Sequence, residues 1–444
     1  MWRILPGGIK RFMFANPFRA LISSKFKEYL AFSYITQFIV AIFGVLQIFL
    51  INKYYGIEVL GQLTIIISTV GILNSLATAR SSEAVTKFFV IEKIKHNNQN
   101  AKFVLAIGMT IDFITAIILI AMVYFLANFL ANSFLKDINL AHEIIIYAYI
   151  TFFVFLRGAI IGYLQAKELF HKINAINIFD WSLRILFLFL FIFYLDWLTL
   201  KDIIYSLLFA SIVSFFYALF IFIKSYLPEF KDVKIQYNKL LFQKYLKFNL
   251  KTFISSSLKA GNRNIDNLIL AYFLDSKVVG IYQTIKKILS PVAMLSTPFS
   301  MLIYPKLIDY FTNNKKLRFL NIIKKISLNV LFLGICYVMF ALYFLEDMFI
   351  FMDVEFLNEY KYYFSLISVF TLISTITWWG RPFSNVVNVN YSIYINIFLI
   401  AYQLSVTIYL VSMHGVIGLL ISLIAEYLII YFYYLIKLNK YVFN

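Results

Sequence analysis

Lys259, Arg263 and Asp266 sit in SSSLKAGNRNIDNLIL, Ser255 to Leu270, within a chain otherwise dominated by apolar runs. Thr252, Ser255, Ser256, Lys259, Asn262, Arg263 and Asp266 recur at i, i+3, i+4 and i+7, so a single helical face carries them all. Leu258, Ile265, Leu268 and Ile269 take other directions. Ammonium and guanidinium groups so arranged bind anions, and phosphate or diphosphate suits them well. A charge at the centre of a bilayer costs roughly 2.5–3.5 kcal/mol, so it persists where it meets water or an opposite charge. The stripe is therefore expected to line a hydrophilic cavity. The alternative is a snorkelling Lys259 beside an Arg263–Asp266 pair at i,i+3 that serves only packing.

Further charges interrupt other apolar segments. Lys286 and Lys287 lie some two turns into the next segment, and Arg157 lies in VFLRGAIIG. Summed over Lys259, Arg263, Lys286, Lys287 and Arg157, the expected cavity is cationic and draws an anion. Asp180 and Arg184 are spaced i,i+4, so a local salt bridge is the default. Asp112 and Glu426 each stand alone in an apolar segment. Such a carboxyl is either protonated and hydrogen-bonded or a proton-coupling group. Together with Asp266, Asp180 and Arg184, these two are candidates for ion coupling or for salt bridges. Tyr272, Tyr282, Trp181 and Trp378 offer faces on which sugars could stack, and Cys336 in GICYVMF reads as an inert buried thiol.

The elements that carry these residues must be membrane helices. The chain has 444 residues, 62% hydrophobic and 14% charged, against about a quarter charged in soluble domains. Residues Tyr29 to Asn52, Ile203 to Ile223, Ile326 to Phe344 and Tyr362 to Gly380 hold no charge, and each is long enough to cross a bilayer as a helix. Spanning strands would alternate polar and apolar residues in shorter pieces. Twelve spans are expected, near 29–52, 62–82, 103–128, 141–163, 174–195, 203–223, 252–274, 279–303, 325–345, 361–383, 389–411 and 415–436. Lys and Arg crowd the lead-in and the loops after spans six and eight, while the alternate loops carry at most one each. That asymmetry places both termini in the cytoplasm and explains the net charge of +18 without nucleic acid.

YYGIEVLGQL resembles YFLDSKVVGIY when Gly61 is laid on Gly280. The repeat suggests two six-helix bundles of equal orientation, related by a pseudo-two-fold axis along the membrane normal. The expected organisation is a basic cytoplasmic lead-in over 1–28, with span one as an uncleaved signal anchor. A first bundle over 29–223 follows, then a basic linker over 224–251 that is partly an interfacial helix, and a second bundle over 252–444. No Walker-type phosphate loop, nucleophile–base set or metal-ligand spacing stands out, so no enzyme, cofactor or metal is implied.

Three segments carry a resemblance: YYGIEVLGQLTIIISTVGILNSLATARSSEAVTKFF, NIDNLILAYFLDSKVVGIYQTIKKILSPVAMLSTPFSMLIYPKL and MHGVIGLLISLIAEYLIIYFYYLIK. Together they cover about a quarter of the chain. They resemble the polysaccharide flippases of the MOP exporter superfamily, the Wzx-type O-antigen translocases. The resemblance implies two bundles around a central cavity, alternating access, and a bacterial inner-membrane location. Its implied substrate is an undecaprenyl-diphosphate-linked oligosaccharide moved from the cytoplasmic to the periplasmic leaflet under an ion gradient. Bilayer lipids and other polysaccharide assembly proteins are the implied partners. Asp266 stands where the family often has an acidic residue and Lys287 where a basic one often follows V-G-I-Y. A drug/cation antiporter of the same superfamily is the rival reading, and a membrane glycan polymerase or ligase the more remote one.

Overall fold

The computed structural model describes residues 24–77, 81–194, 199–296, 307, 310, 315–355, 357–388 and 390–443. Side chains are described for these except 24–31, 33, 34, 251, 252, 254–264 and 385. Without water, a spanning backbone must satisfy its own hydrogen bonds, and the described residues accordingly form helices and no strand. In chain order these are α1 (Ser24–Tyr55), α2 (Ile57–Ala77), α3 (Ser81–Ile94), α4 (Asn98–Leu130), α5 (Ala141–Leu156), α6 (Gly158–Ala166), α7 (Phe170–Tyr194) and α8 (Leu200–Phe230). There follow α9 (Lys239–Phe273), α10 (Ser276–Ile288), α11 (Ser290–Met294), α12 (Lys316–Tyr343), α13 (Leu345–Phe351), α14 (Asn358–Ile376), α15 (Gly380–Val387), α16 (Asn390–Tyr402) and α17 (Ile408–Phe443).

Among the described residues, nine segments are long and apolar enough to cross a membrane. The last, Asn390–Phe443, is two passes. Gly415 leaves helical geometry at φ 58°, and beyond it the chain folds back. Tyr402 and Thr407 bond Ser422, and a Cβ on Gly418 would strike the Leu410 carbonyl. Two more passes are helical but fall outside that group, α9 because it is too polar and α10–α11 because its helices, of 13 and 5 residues, are too short. Among the described residues the passes thus come to twelve, in two bundles of six.

Several passes are broken. Arg157 separates α5 from α6, and Pro291 opens α11 after a turn at Leu289. Local signals set other ends. Asn97 caps α4 through Asn100 N, Thr199 and Asp202 form a capping box on α8, and Asn238 caps α9 through Leu241 N.

The basic linker is continuous with the span that follows it. α9 runs unbroken for 35 residues, about 50 Å, from Lys239 through the whole of span seven. Leu241 and Tyr245 are buried against the first bundle, so tertiary packing holds this end upright. Cys336 is exposed, on the outer face of α12, and is not a core thiol.

The apolar core is divided unevenly. One cluster joins both bundles, running through Ile51, Leu63 and Leu119 of the first and Leu270, Ile285 and Leu419 of the second. At the opposite end of the passes each bundle has its own core, one around Phe89, Tyr163 and Tyr245 and one around Phe319, Trp379 and Phe383. The bundles are therefore joined at one end, called here the Gly61 end, and separately packed at the other.

Candidate functional site

At the Gly61 end, α2 and α10 make the most extensive pairing among the described helices. The two glycines of the sequence repeat face each other there. A Cβ on Gly61 would overlap the Ser276 carbonyl, and one on Gly280 would overlap the Ile57 carbonyl. Only glycine lets these backbones approach so closely. Polar groups close the same end. Asn52 Nδ2 donates to Thr284 Oγ1 at 3.1 Å, Asn267 Nδ2 to Ser68 Oγ at 2.9 Å, and Lys136 Nζ to the Leu274 carbonyl at 2.8 Å.

Where the shared core gives way to the separate ones, a group of charges gathers around Trp181. Asp180 on α7 is buried and accepts from Arg157 at 2.8 Å and from Arg184 at 3.0 Å. Arg157 also donates to Ser214 on α8 at 2.6 Å. The Arg184 guanidinium lies 5.1 Å from the Trp181 ring centre, and Lys287 Nζ, from the second bundle, lies 5.4 Å from it. Two guanidiniums thus share one carboxylate, and the Lys287 ammonium lies against the same Trp181 ring, leaving an excess of positive charge between helices. Such a centre attracts an anion more strongly than the same charges would in water.

The neighbouring lysine does something else. Residues at i and i+1 on a helix do not share a face. Lys286 turns back into its own bundle and bonds Asp266 at 2.5 Å. Tyr282 donates to the same carboxylate oxygen at 2.7 Å. Lys286 is thereby matched by a counter-charge, whereas Lys287 is not matched by any among the ion pairs of the described residues. Near Asp266, Glu426 accepts from Gln403 Nε2 at 2.9 Å. Asp112 accepts from Ser81 Oγ and, at 2.7 Å, from the amide of Ala159. It therefore sits at the first turn of α6, where the helix dipole favours negative charge.

The sequence-predicted residues fall into distinct groups. Lys287, Arg184, Asp180 and Arg157 meet around Trp181. Arg157 is buried and spent on Asp180 and Ser214, so it supports the centre from behind and does not face a cavity. Lys286 and Asp266 pair with each other, and Asp112 and Glu426 occupy separate polar pockets. The side chains of Lys259, Arg263, Ser256 and Asn262 lie outside the described ones. Of the four aromatics, Trp181 alone meets the charged centre. Tyr282 and Trp378 are packed inside, with Trp378 donating to Ser327, and Tyr272 is exposed beside Phe134. Ser214 and Gln403 carried no sequence signal, since a hydroxyl or an amide is common on apolar helices.

The chain is similar to several known proteins. The chain is 24% identical over 156 residues to a capsular polysaccharide biosynthesis protein, CapF, of Staphylococcus aureus. That match spans 35% of this chain and 39% of the relative's length. In fold, the chain is similar to a multidrug resistance MATE family transporter of the MOP superfamily in its inward-facing conformation. The TM-score is 0.75 at 13% identity, over 90% of this chain and 95% of the other. It is also similar to the lipid II flippase MurJ in an inward closed conformation, with a TM-score of 0.71 at 18% identity, over 92% of this chain and 87% of that one. The model of a family described as polysaccharide biosynthesis proteins matches residues 29–311. With that match over more than half its length, and with the multi-pass fold of the MOP superfamily, the chain belongs to the polysaccharide biosynthesis protein family.

Proposed function

We propose that the protein flips a polyprenyl-diphosphate-linked oligosaccharide, the repeat unit of an O-antigen or another surface polysaccharide, across the bacterial inner membrane by alternating access. The observation that carries this reading is the cationic centre of Lys287, Arg184 and Trp181 between two bundles, in a chain of the polysaccharide biosynthesis family. A diphosphate bears the charge and oxygen geometry that arginine and lysine recognise. The glycan follows it between the bundles, and the polyprenyl tail stays in lipid. We assign Lys259, Arg263, Ser256 and Asn262 to the same substrate on their sequence spacing.

The separately packed end faces the cytoplasm, as does each terminus, in keeping with the lysines around it. Substrate enters there, neutralises the repulsion between Arg184 and Lys287, and lets that end close while the Gly61 end parts. Asp266 and Glu426, in the polar region of the second bundle, and Asp112 in the first, are the groups through which an ion gradient drives the cycle. A drug/cation antiporter would take organic cations, which the excess positive charge around Trp181 repels.

The test is a lipid extraction from a strain lacking the gene. A polyprenyl-diphosphate glycan should build up on the cytoplasmic leaflet while surface polymer disappears. The wild-type gene should reverse this, and Lys287→Ala should not. Intact surface glycan, with altered drug tolerance, would favour the antiporter.

A further inference from the structure

Gly44 lies inside α1, with no backbone angle that calls for glycine. A glycine in mid-helix loosens the helix, so its presence needs a packing reason. A Cβ built there falls 2.5 Å from Lys287 Nζ and 2.6 Å from Lys287 Cε, and 3.7 Å from the Trp181 ring. Among the described residues, the only atoms that a methyl group would displace are the tip of a lysine from the other bundle. Lys287 thus reaches across the gap and rests in a notch made by the missing side chain at 44 and the face of Trp181. The notch supplies no carboxylate, and the nearby Asp180 is already shared by Arg157 and Arg184. An ammonium held by an aromatic face alone is available to a better partner.

We propose that Gly44 and Trp181 form a parking notch for Lys287, and that a diphosphate draws the ammonium out of it, so that anion binding breaks a contact between the bundles. Gly44 and Trp181 are positioning residues for Lys287. The notch competes with the anion, and it converts binding into freedom for the bundles to move. This rests on the flippase reading for the identity of the anion, but its geometry is independent of it.

The test uses full-length protein in detergent, labelled with 5-fluorotryptophan, and inorganic pyrophosphate as probe. The Trp181 resonance is assigned by its loss in Trp181→Phe. Pyrophosphate should shift it. Lys287→Gln should displace the resonance before any addition and raise the pyrophosphate midpoint by about tenfold or more, the weight of one charge-assisted hydrogen bond. Gly44→Ala evicts only a flexible side-chain tip, so the protein should fold. Its apo resonance should move towards that of Lys287→Gln while pyrophosphate binds roughly three- to tenfold more tightly, because the competing cation–π contact is gone. A merely structural glycine would give unchanged or weaker binding, and that result overturns the notch. A shift with glucuronate but none with pyrophosphate overturns the diphosphate assignment. If Trp181 stays silent to pyrophosphate in a protein that still restores surface polymer, the notch fails and the flippase reading stands. If the notch responds but the deletion strain accumulates no lipid-linked glycan, the flippase reading fails alone.

Discussion

Arg157 and Lys287 are both cations between apolar helices, yet their surroundings give them different work. Arg157 is buried, bonded to Asp180 and Ser214, and belongs to the first bundle entirely. Removing one partner of a buried pair is costly because the other charge is left behind. Arg157→Ala should therefore destabilise the protein by about 3 kcal/mol, the lower end of the range for broken buried pairs, since Arg184 still serves Asp180. Thermal unfolding in detergent should show a clear fall in midpoint, and Lys287→Ala should show little. Equal falls would mean that Lys287 is also a structural cation. The contrast could not be read from the sequence. The i,i+4 spacing of Asp180 and Arg184 is local and legible, but Arg157 lies 23 residues from Asp180, across a helix break. Likewise Lys286, from the following helix, meets Asp266 across 20 residues, a pairing that no local spacing announces.

Helices were the most legible level. Apolar runs of spanning length mark most passes, and the polar stripe rightly marks α9 as different. Breaks and continuities were less visible, because they depend on what packs beside them. α9 continues through its basic start because Leu241 and Tyr245 find an apolar seat in the first bundle. Gly61 and Gly280 align as a repeat in the sequence, but a repeat does not say that its two copies touch. Their contact predicts a specific asymmetry. A side chain at 61 meets backbone at Ser276, which cannot swing aside, whereas one at 44 meets only a lysine tip. In a Cys336→Ala background, Thr284→Cys should resist a water-soluble maleimide while residue 61 is glycine. Adding Gly61→Leu should force α2 and α10 apart and raise labelling severalfold. Unchanged labelling would show that the helices absorb the side chain without separating.

At the scale of the whole molecule, the uneven core makes a mechanical statement. One apolar cluster ties the bundles together at the Gly61 end, and two unconnected clusters hold them at the other. Packed interiors resist deformation, so motion concentrates where packing is discontinuous. In the proposed cycle the bundles rock as rigid bodies about the region near Trp181, and the shared end must part. Besides the apolar cluster, that end is held by glycine contact, by the Lys136 ammonium on the Leu274 carbonyl and by a few neutral hydrogen bonds, such as Asn52 to Thr284 at 3.1 Å, the neutral ones each contributing on the order of 1 kcal/mol. A seam of that kind is tight yet separable. Cysteines placed at 52 and 284, with Cys336 replaced by alanine, should be joined by a short methanethiosulfonate cross-linker. Joining them should hold the seam shut and stop delivery of surface polymer, and reduction should restore it. Transport that continues in the fully cross-linked protein would mean that the bundles never part at the Gly61 end. Substrate would then leave by the end through which it entered or sideways between passes, and the shared core would be a fixed floor beneath the charged centre and not a gate.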